Sequence, residues 1–326
     1  MNTYYNSRHI FFPKQFTKSF ISSIFIKASF MKESSSRFSS DLQGKIMVSY
    51  FSEPSTRTSC SFQSAIQKLG GSCIQINEST SSSKKGETIQ DTIKTLSLYG
   101  DILIIRSSKK NFFNYINNDI SIPIINAGDG NGHHPTQALL DLYTIYDFYS
   151  KNEFSIFSDQ FTLILQSKKI ALIGDLKNSR TIHSLLYLLT HFFNNLQIYL
   201  ISPPHLNLPI DIKSEMFKNH KIIEFFPLDS ISFKQIIKDM DILYLTRLQS
   251  ERLNEDDLKI TNFEIFRINN SLLEKLNKNS IILHPFPRNI ELSNDCDKNH
   301  RARYFEQMKN GLYIRMALLH ELLYND

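Results

Sequence analysis

The sequence predicts an α/β protein with two domains, each a parallel β-sheet flanked by helices. Two observations lead to this prediction. Short apolar segments rich in β-branched residues alternate with segments of helical periodicity, as in βαβ units, and the alternation forms two series separated by a polar stretch at about 150–167. The expected strands are 45–51, 73–77, 102–106 and 122–126 in the first series, and 169–175, 197–201, 240–245 and 280–284 in the second.

Three helices are well marked. The first is expected over 58–69, because apolar residues recur at i, i+4 and i+7 and Gly70-Gly71 follows as a stop. A longer helix is expected from Pro135 to about Tyr149. A final helix, from about Asn310 to Tyr324, has no strand after it with which to pair.

Composition narrows the class of protein. With 326 residues, 41% hydrophobic and 21% charged, the chain can bury a substantial core, and no apolar run approaches the roughly 18 to 20 residues that span a bilayer. Three cysteines without paired spacing disfavour a disulfide framework or a zinc site and favour a reducing compartment. The net charge of +5 is spread along the chain, which suits small anions better than nucleic acid.

The N-terminal segment allows two interpretations. Residues 1–32 contain basic residues, serines and aromatics but no acid, which resembles a transit peptide for organellar import. The alternative is an ordinary first helix, because Phe16, Phe20 and Ile24 keep helical spacing. We expect the helix and a cytoplasmic protein.

The segment after the first expected strand has the features of a phosphate site. The strand stops at Pro54, which cannot continue a hydrogen-bonded ladder. A helix starts immediately afterwards, and the free N–H groups and positive dipole of a helix start attract anions. Beside it lie three hydroxyls and one guanidinium, from Ser55, Thr56, Thr58 and Arg57. In the alternative interpretation Ser55 and Thr56 only cap the helix while Arg57 is solvated.

Further polar residues follow other strands of the first series, where parallel sheets bind ligands. Arg106 follows the strand 102–106, and a glycine-rich turn after 122–126 leads to His134 and Gln137. These two residues are three apart on one helical face, and both offer hydrogen bonds suited to polarising a carbonyl oxygen. In the alternative interpretation His134 is only a helix cap.

The second series presents arginines and a proline-rich turn at its strand ends. Arg180 and Arg247 each follow a strand and suggest a clamp for a dicarboxylate, although each arginine alone also fits a surface salt bridge. The turn 284–288 ends a third strand and is rigid enough to direct backbone carbonyls toward an incoming amine.

Together these motifs resemble the aspartate carbamoyltransferases of the aspartate/ornithine carbamoyltransferase family. The resemblance covers about residues 9–325, in order and with similar spacing. The segments that carry it are 55–58, 134–137, 174–176 with 180–184, 243–249 and 284–288.

The resemblance implies a fold and a reaction. It implies a carbamoyl-phosphate-binding domain at 1–148, with helix 306–326 returning to it, and an aspartate-binding domain at 149–305. Carbamoyl phosphate and L-aspartate would give N-carbamoyl-L-aspartate and phosphate in pyrimidine synthesis, without a metal or an organic cofactor.

The resemblance also implies roles for individual residues. The phosphate contacts are Ser55, Thr56, Arg57, Thr58 and Arg106. The groups that polarise the carbamoyl oxygen are Thr58, Arg106, His134 and Gln137. The turn that lies against the carbamoyl group carries Pro285 and Phe286. The aspartate contacts are Lys85, Arg180, Arg247 and Gln249.

Family members work as trimers in which a loop of the neighbouring subunit completes the site. Here the corresponding loop is 79–87, and its donors are Ser81 and Lys85. Read without the resemblance, this serine-rich segment is a flexible solvated loop.

Two segments depart from the family pattern. Ser107-Ser108 follows Arg106 where the family usually has His-Pro, and Phe286 stands where Leu or Met is usual. We expect Phe286 to crowd the aspartate side and raise the aspartate requirement.

Two alternatives stay open. Ornithine carbamoyltransferases share the phosphate motif, but Ser59 and Pro285 differ from the Arg and Cys that they usually carry there. A non-catalytic homologue that only binds carbamoyl phosphate or phosphate is the second alternative.

Overall fold

Two parallel sheets form the framework of the protein in a computed structural model. The first sheet has the order β2-β1-β3-β4 and the second the order β7-β6-β5-β8-β9. The residues that the structure describes are 8–78, 87–116, 120–151, 155–216, 219–247, 249, 253, 255–256 and 262–324.

The strands are short and their pairs are all parallel. Their bounds are β1 Ile46–Phe51, β2 Ser72–Asn77, β3 Ile102–Ser107, β4 Ile124–Asp129, β5 Lys169–Ile173, β6 Gln197–Ile201, β7 Lys221–Phe225, β8 Ile242–Leu245 and β9 Ile281–Leu283. The helices of the described residues are α1 Lys18–Glu33, α2 Thr56–Lys68, α3 Ile89–Ser97, α4 Pro135–Ser150, α5 Asp159–Gln166, α6 Arg180–Phe192, α7 Ile210–Met216, α8 Ser230–Ile237, α9 Asn270–Leu273 and α10 Tyr304–Leu323.

The chain divides into two compact units, Met1–Tyr143 with Lys309–Asp326, and Thr144–Met308. The first boundary falls inside α4 and the second inside α10. Most of the last helix therefore belongs to the first unit, where Lys27 forms an ion pair with Glu321. The expected α/β class with two parallel sheets and a returning C-terminal helix is confirmed.

Each unit has its own apolar core. In the first, side chains of β1 and β3 such as Val48 and Leu103 pack with the aromatic rings of Phe11 and Phe113. In the second, side chains of β5, β8 and β9 pack with α8 and with Tyr304. No helix in the described part of the chain combines the length and apolar character needed to cross a bilayer.

The sequence expectations missed three features. Strand β7 was not expected, because it lies at a sheet edge and none of its residues is fully buried. The stretch 150–167, expected as a polar connection, contains α5, whose Phe161 and Leu165 are buried. The last helix starts at Tyr304 rather than near Asn310. The expected first helix is present at 18–33, where α1 buries Ile24. The choice between a cytoplasmic and an imported protein stays a prediction.

A charged network fixes the chain between β9 and α10. Asp297 accepts hydrogen bonds from Arg288, one of them at 2.8 Å, and from the hydroxyl of Tyr304. The Arg288 guanidinium also lies over the rings of Phe286 and Tyr304, 5.5 and 5.8 Å from their centroids. The hydrogen bonds from Arg288 hold the pKa of the Asp297 carboxyl below its usual range, against the opposing effect of burial.

We expect Asp297→Asn to lower the free energy of unfolding at neutral pH by about 1 to 3 kcal/mol, because it weakens charge-assisted hydrogen bonds. A depressed carboxyl pKa stabilises the fold above the unfolded-state pKa and stops doing so as the pH falls through the folded-state value. The difference between wild type and variant should therefore shrink below about pH 4. Urea unfolding of both proteins, from neutral pH to below about pH 4, measures this difference in the free energy of unfolding.

Asp239→Asn is the matched control. Asp239 is 76% exposed and its carboxylate lies 4.0 Å from Nζ of Lys169, so the substitution should change the free energy of unfolding by less than about 0.5 kcal/mol. Equal effects of the two substitutions would contradict the role given to Asp297.

Candidate functional site

The carboxyl edge of the first sheet brings three of the expected segments together. Because β1, β3 and β4 are adjacent and parallel, the residues after them emerge side by side. Phe51 is paired with Arg106 and Ser107 with Asp129. The N–H of Ser52 donates to the carbonyl of Arg106 at 2.9 Å. The N–H of Ser108 donates to Oγ of Ser52 at 3.0 Å. The loop after β1 is therefore joined by hydrogen bonds to the end of β3 and to the loop that follows it.

The start of α2 presents the phosphate motif. Ser55 is the N-cap residue, and within the described residues its side chain makes no capping hydrogen bond. The hydroxyl is thus not used as the capping interpretation requires. Thr56 and Arg57 are exposed and Thr58 is buried. The first-turn N–H groups and the positive end of the helix dipole lie beside these side chains, as anion binding needs.

The guanidinium of Arg106 is held from both sides. It pairs with the carboxylate of Glu53 at 2.7 Å and donates to the carbonyl of Ala127 at 3.3 Å. Its side chain is only 13% exposed. These contacts fix the direction of the guanidinium, and a bound phosphate would share it with Glu53.

The turn between β4 and α4 is tightly built around Asp129. This buried carboxylate accepts a hydrogen bond from the N–H of His133 at 2.5 Å. A side chain at Gly132 would collide with it, since an added Cβ would lie 2.8 Å from Oδ1. His134, which follows His133, is 3% exposed and immediately precedes α4. The imidazole therefore stands at a fixed place at the sheet edge.

Gln137 is oriented from within its own helix. Its Nε2 donates to Oδ1 of Asp141, one turn later, at 2.8 Å. An ionised carboxylate only accepts hydrogen bonds, so the amide must turn its nitrogen toward Asp141. Oε1 is then the end of the amide that faces away from the carboxylate.

The second unit places its arginines at the edge formed by β5, β8 and β9, which are adjacent. Arg180 is the first residue of α6, Arg247 follows β8, and both are half-buried, as is Gln249. The residues of this unit that are expected to contact the substrate aspartate thus follow neighbouring strands.

The turn from β5 into α6 requires a glycine. Gly174 has φ +113°, and a Cβ there would lie 2.3 Å from the carbonyl oxygen of Thr246. Asp175 is buried and accepts the N–H of Asn178 at 3.0 Å. Nε2 of His183 is hydrogen-bonded to the carbonyl oxygen of Leu176 at 2.8 Å. The backbone that leads to Arg180 is therefore rigid and packed against the chain that leads to Arg247.

A buried histidine and glutamate shape the turn 284–288. The N–H of Phe286 donates to Nδ1 of His284 at 2.9 Å, so Nε2 carries the proton that is shared with Glu291 at 3.0 Å. Burial alone would raise the pKa of Glu291, but the hydrogen bonds from His284 and Asn289 outweigh it and hold that pKa below its usual value.

The ring of Phe286 is engaged in packing. It lies 5.5 Å from the ring of Tyr304 and 5.8 Å from that of Phe305, and it packs on the core of the second unit. Its backbone has φ +56°. The proposed crowding of the aspartate side by Phe286 stays a prediction.

The remaining expected residues are not all placed. Ser81 and Lys85 lie outside the described residues. Among the described residues no three His, Cys, Asp or Glu side chains form a group that could hold a metal ion.

Three supporting acids were missed by sequence reasoning. Glu53 is adjacent to the phosphate motif, and Asp141 lies four residues after Gln137, so helical spacing could have indicated it. Glu291 had no such signal, because its partner His284 is across a turn.

Comparison with known proteins agrees with this geometry. Residues 8–147 match the family model for the carbamoyl-P binding domain of aspartate/ornithine carbamoyltransferase, and residues 166–322 match its Asp/Orn binding domain. The aspartate carbamoyltransferase catalytic subunit of Alkaliphilus oremlandii is 38% identical over 320 residues, which is 98% of this chain and 91% of that relative. The chloroplastic aspartate carbamoyltransferase of Arabidopsis thaliana is 40% identical over 95% of this chain and 76% of its own length.

A solved structure gives the same result. The crystal structure of aspartate transcarbamoylase from Trypanosoma cruzi in complex with carbamoyl phosphate and aspartate superposes with a TM-score of 0.84 and 34% identity. The match covers 96% of this chain and 95% of that one. The chain therefore belongs to the aspartate/ornithine carbamoyltransferase family.

Proposed function

We propose that the protein transfers the carbamoyl group of carbamoyl phosphate to the α-amine of L-aspartate, giving N-carbamoyl-L-aspartate and phosphate in pyrimidine synthesis. The observation that carries the proposal is the convergence of the α2 start, Arg106 and His134 on one sheet edge. Arg180 and Arg247 on the neighbouring strand ends of the second sheet support an acceptor with two carboxylates.

The phosphate half of the donor substrate fits the start of α2. Ser55, Thr56 and Thr58 supply hydroxyls, Arg57 and Arg106 supply charge, and the helix start supplies N–H groups. Because Arg106 also pairs with Glu53, phosphate binding would draw the guanidinium partly away from that carboxylate.

The carbamoyl half needs donors for its oxygen and acceptors for its NH₂. Thr58, Arg106 and His134 are the donors. Gln137 directs Nε2 toward Asp141, so we assign its Oε1 as an acceptor for the carbamoyl NH₂ rather than as part of the polarising set. The backbone carbonyls of Pro285 and Phe286 are further acceptors, for the carbamoyl NH₂ or the incoming amine.

The chemical step is an acyl transfer. The neutral α-amine of aspartate attacks the carbamoyl carbon, the bond to the phosphate oxygen breaks, and the departing phosphate takes the proton that the amine loses. Negative charge develops on the carbamoyl oxygen, where donors fixed on strand-end loops stabilise it without reorganising. Holding both substrates also removes the translational cost of a bimolecular step, which is worth roughly 7 to 11 kcal/mol in the best cases.

We further propose that the protein acts as a homotrimer in the cytoplasm, with Ser81 and Lys85 of one subunit completing a neighbour's site. The family resemblance of segment 79–87 supports the shared site. The three cysteines are free thiols, which supports a reducing compartment.

The reaction itself is tested by measuring product formation from carbamoyl phosphate with aspartate or with ornithine. We expect turnover with aspartate alone, because two arginines at the acceptor side favour a second carboxylate over an ammonium group. Turnover with ornithine alone would move the acceptor assignment, and turnover with neither would leave a binding role.

Substitutions should separate the two substrates. We expect Arg247→Gln to raise the KM for aspartate by about 10- to 100-fold, since one charge-assisted hydrogen bond to a carboxylate is lost, while the KM for carbamoyl phosphate changes little. Steady-state kinetics measure both. The matched control is Arg267→Gln, because the Arg267 side chain is 50% exposed and forms a surface ion pair with Glu264. An equal rise of both KM values would contradict the assignment of Arg247.

Subunit mixing tests the shared site. Arg57→Ala and Lys85→Ala proteins should each be nearly inactive, and a mixture with random subunit exchange should recover up to about a quarter of wild-type activity, since one site in four would combine two intact residues. Exchange is confirmed by mass spectrometry of the assembled species. Confirmed exchange without recovery would contradict the proposal.

A further inference from the structure

Asp141 is a buried acid that the proposed mechanism does not use. It lies in α4, is fully buried, and accepts a hydrogen bond from Nε2 of Gln137 at 2.8 Å. A carboxyl group in such a place is costly unless an opposite charge accompanies it.

That opposite charge comes from the last helix. Arg315 of α10 is 4% exposed, donates to Ser61 of α2 at 2.9 Å and lies 3.5 Å from the hydroxyl of Thr136 at the start of α4. Its guanidinium also lies over the ring of Phe62 at 5.1 Å. Burial lowers the pKa of Arg315 to about 10, and the charge of Asp141 opposes this shift. A guanidinium stays protonated in proteins at neutral pH, so Arg315 supplies a buried positive charge that offsets the cost of a carboxylate at Asp141.

The ionisation of Asp141 decides what Gln137 can recognise. An ionised carboxylate accepts only, so it holds the amide nitrogen and leaves Oε1 to face a ligand. A neutral group with a donor, such as an amide, allows the opposite arrangement, in which the nitrogen of Gln137 faces the ligand. The two arrangements recognise different ligand groups, an N–H donor in the first case and an oxygen acceptor in the second.

We propose that Asp141, held in its buried place by Arg315, is a positioning residue that fixes the orientation of the Gln137 amide and so makes the site selective for a carbamoyl group over an acyl group without N–H. The inference rests on the proposed function. The relevant competitor is acetyl phosphate, in which a methyl group replaces the carbamoyl NH₂ and leaves Oε1 of Gln137 without a partner.

The test measures selectivity rather than activity. The quantity is the ratio of the inhibition constant of acetyl phosphate to the dissociation constant of carbamoyl phosphate, both from competition kinetics. We expect Asp141→Asn to lower this ratio by about threefold to tenfold, the size of one neutral hydrogen bond, because the asparagine permits both amide orientations. If Asp141 has a purely structural role, the substitution should weaken the binding of both ligands by the same factor and leave the ratio unchanged. That result would overturn the proposal.

A double-mutant cycle links the effect to Gln137. Gln137→Met should lower the ratio by a similar factor, and Asp141→Asn should then have no further effect on it when combined with Gln137→Met. Additive effects of the two substitutions, or an unchanged ratio in Gln137→Met, would overturn the proposal. Asp147→Asn in the same helix is the matched control and should leave the ratio at its wild-type value.

Two outcomes are kept distinct. Absence of turnover by the wild-type protein with carbamoyl phosphate and aspartate would count against the proposed function, whereas turnover with an unaltered ratio in Asp141→Asn would count against Asp141 alone. If Asp141→Asn does not fold, as circular dichroism would show, Asp141→Ser replaces it. A serine hydroxyl can donate as well as accept, so it no longer restricts the Gln137 amide to one orientation. The ratio should again fall, and an unchanged ratio would overturn the proposal.

Discussion

The parallel pairing of neighbouring strands is the constraint on which the candidate residues of each unit depend. Because β1, β3 and β4 run in one direction, the segments that follow them must emerge at one edge, whatever their sequences. The same holds for β5, β8 and β9 in the second unit. Backbone hydrogen bonds such as that from Ser52 to the carbonyl of Arg106 then set the spacing of the loops. The sheet thus determines where the site residues lie, and their side chains determine what they can bind.

Buried or half-buried acids orient two groups that would contact substrate and one histidine that shapes the turn 284–288. Glu53 directs Arg106, Asp141 directs Gln137, and Glu291 directs His284 at the base of a turn. Each acid is an acceptor that restricts its partner to one arrangement. The site residues are therefore held in place by acids that lie behind them and that do not themselves contact the ligand. This arrangement suits a reaction driven by positioning, in which a donor that must first rotate would lose part of its effect.

Much of this architecture could be predicted from residue order, and the remainder has physical reasons for being hidden. Buried strands such as β5 can be recognised in the sequence by a run of apolar residues. The edge strand β7 lacks such a run, because it mixes Lys221 and Glu224 with half-exposed residues. Phe286 illustrates a different limit, since its ring packing with Tyr304 depends on tertiary contacts. Asp141 was accessible from helical spacing, but Arg315, 179 positions after Thr136, was not. The assignment of site residues to ligands stays a prediction.

The division of α4 and α10 between the units has a consequence for biosynthesis. The first unit is completed by residues from Lys309 onward, which are translated only after the whole second unit. Until then Ser61 of α2 and Thr136 of α4 lack the Arg315 side chain that contacts both of them. The half of the protein that is made first is thus the half that finishes folding last. A premature stop late in the gene would damage the unit encoded at its beginning.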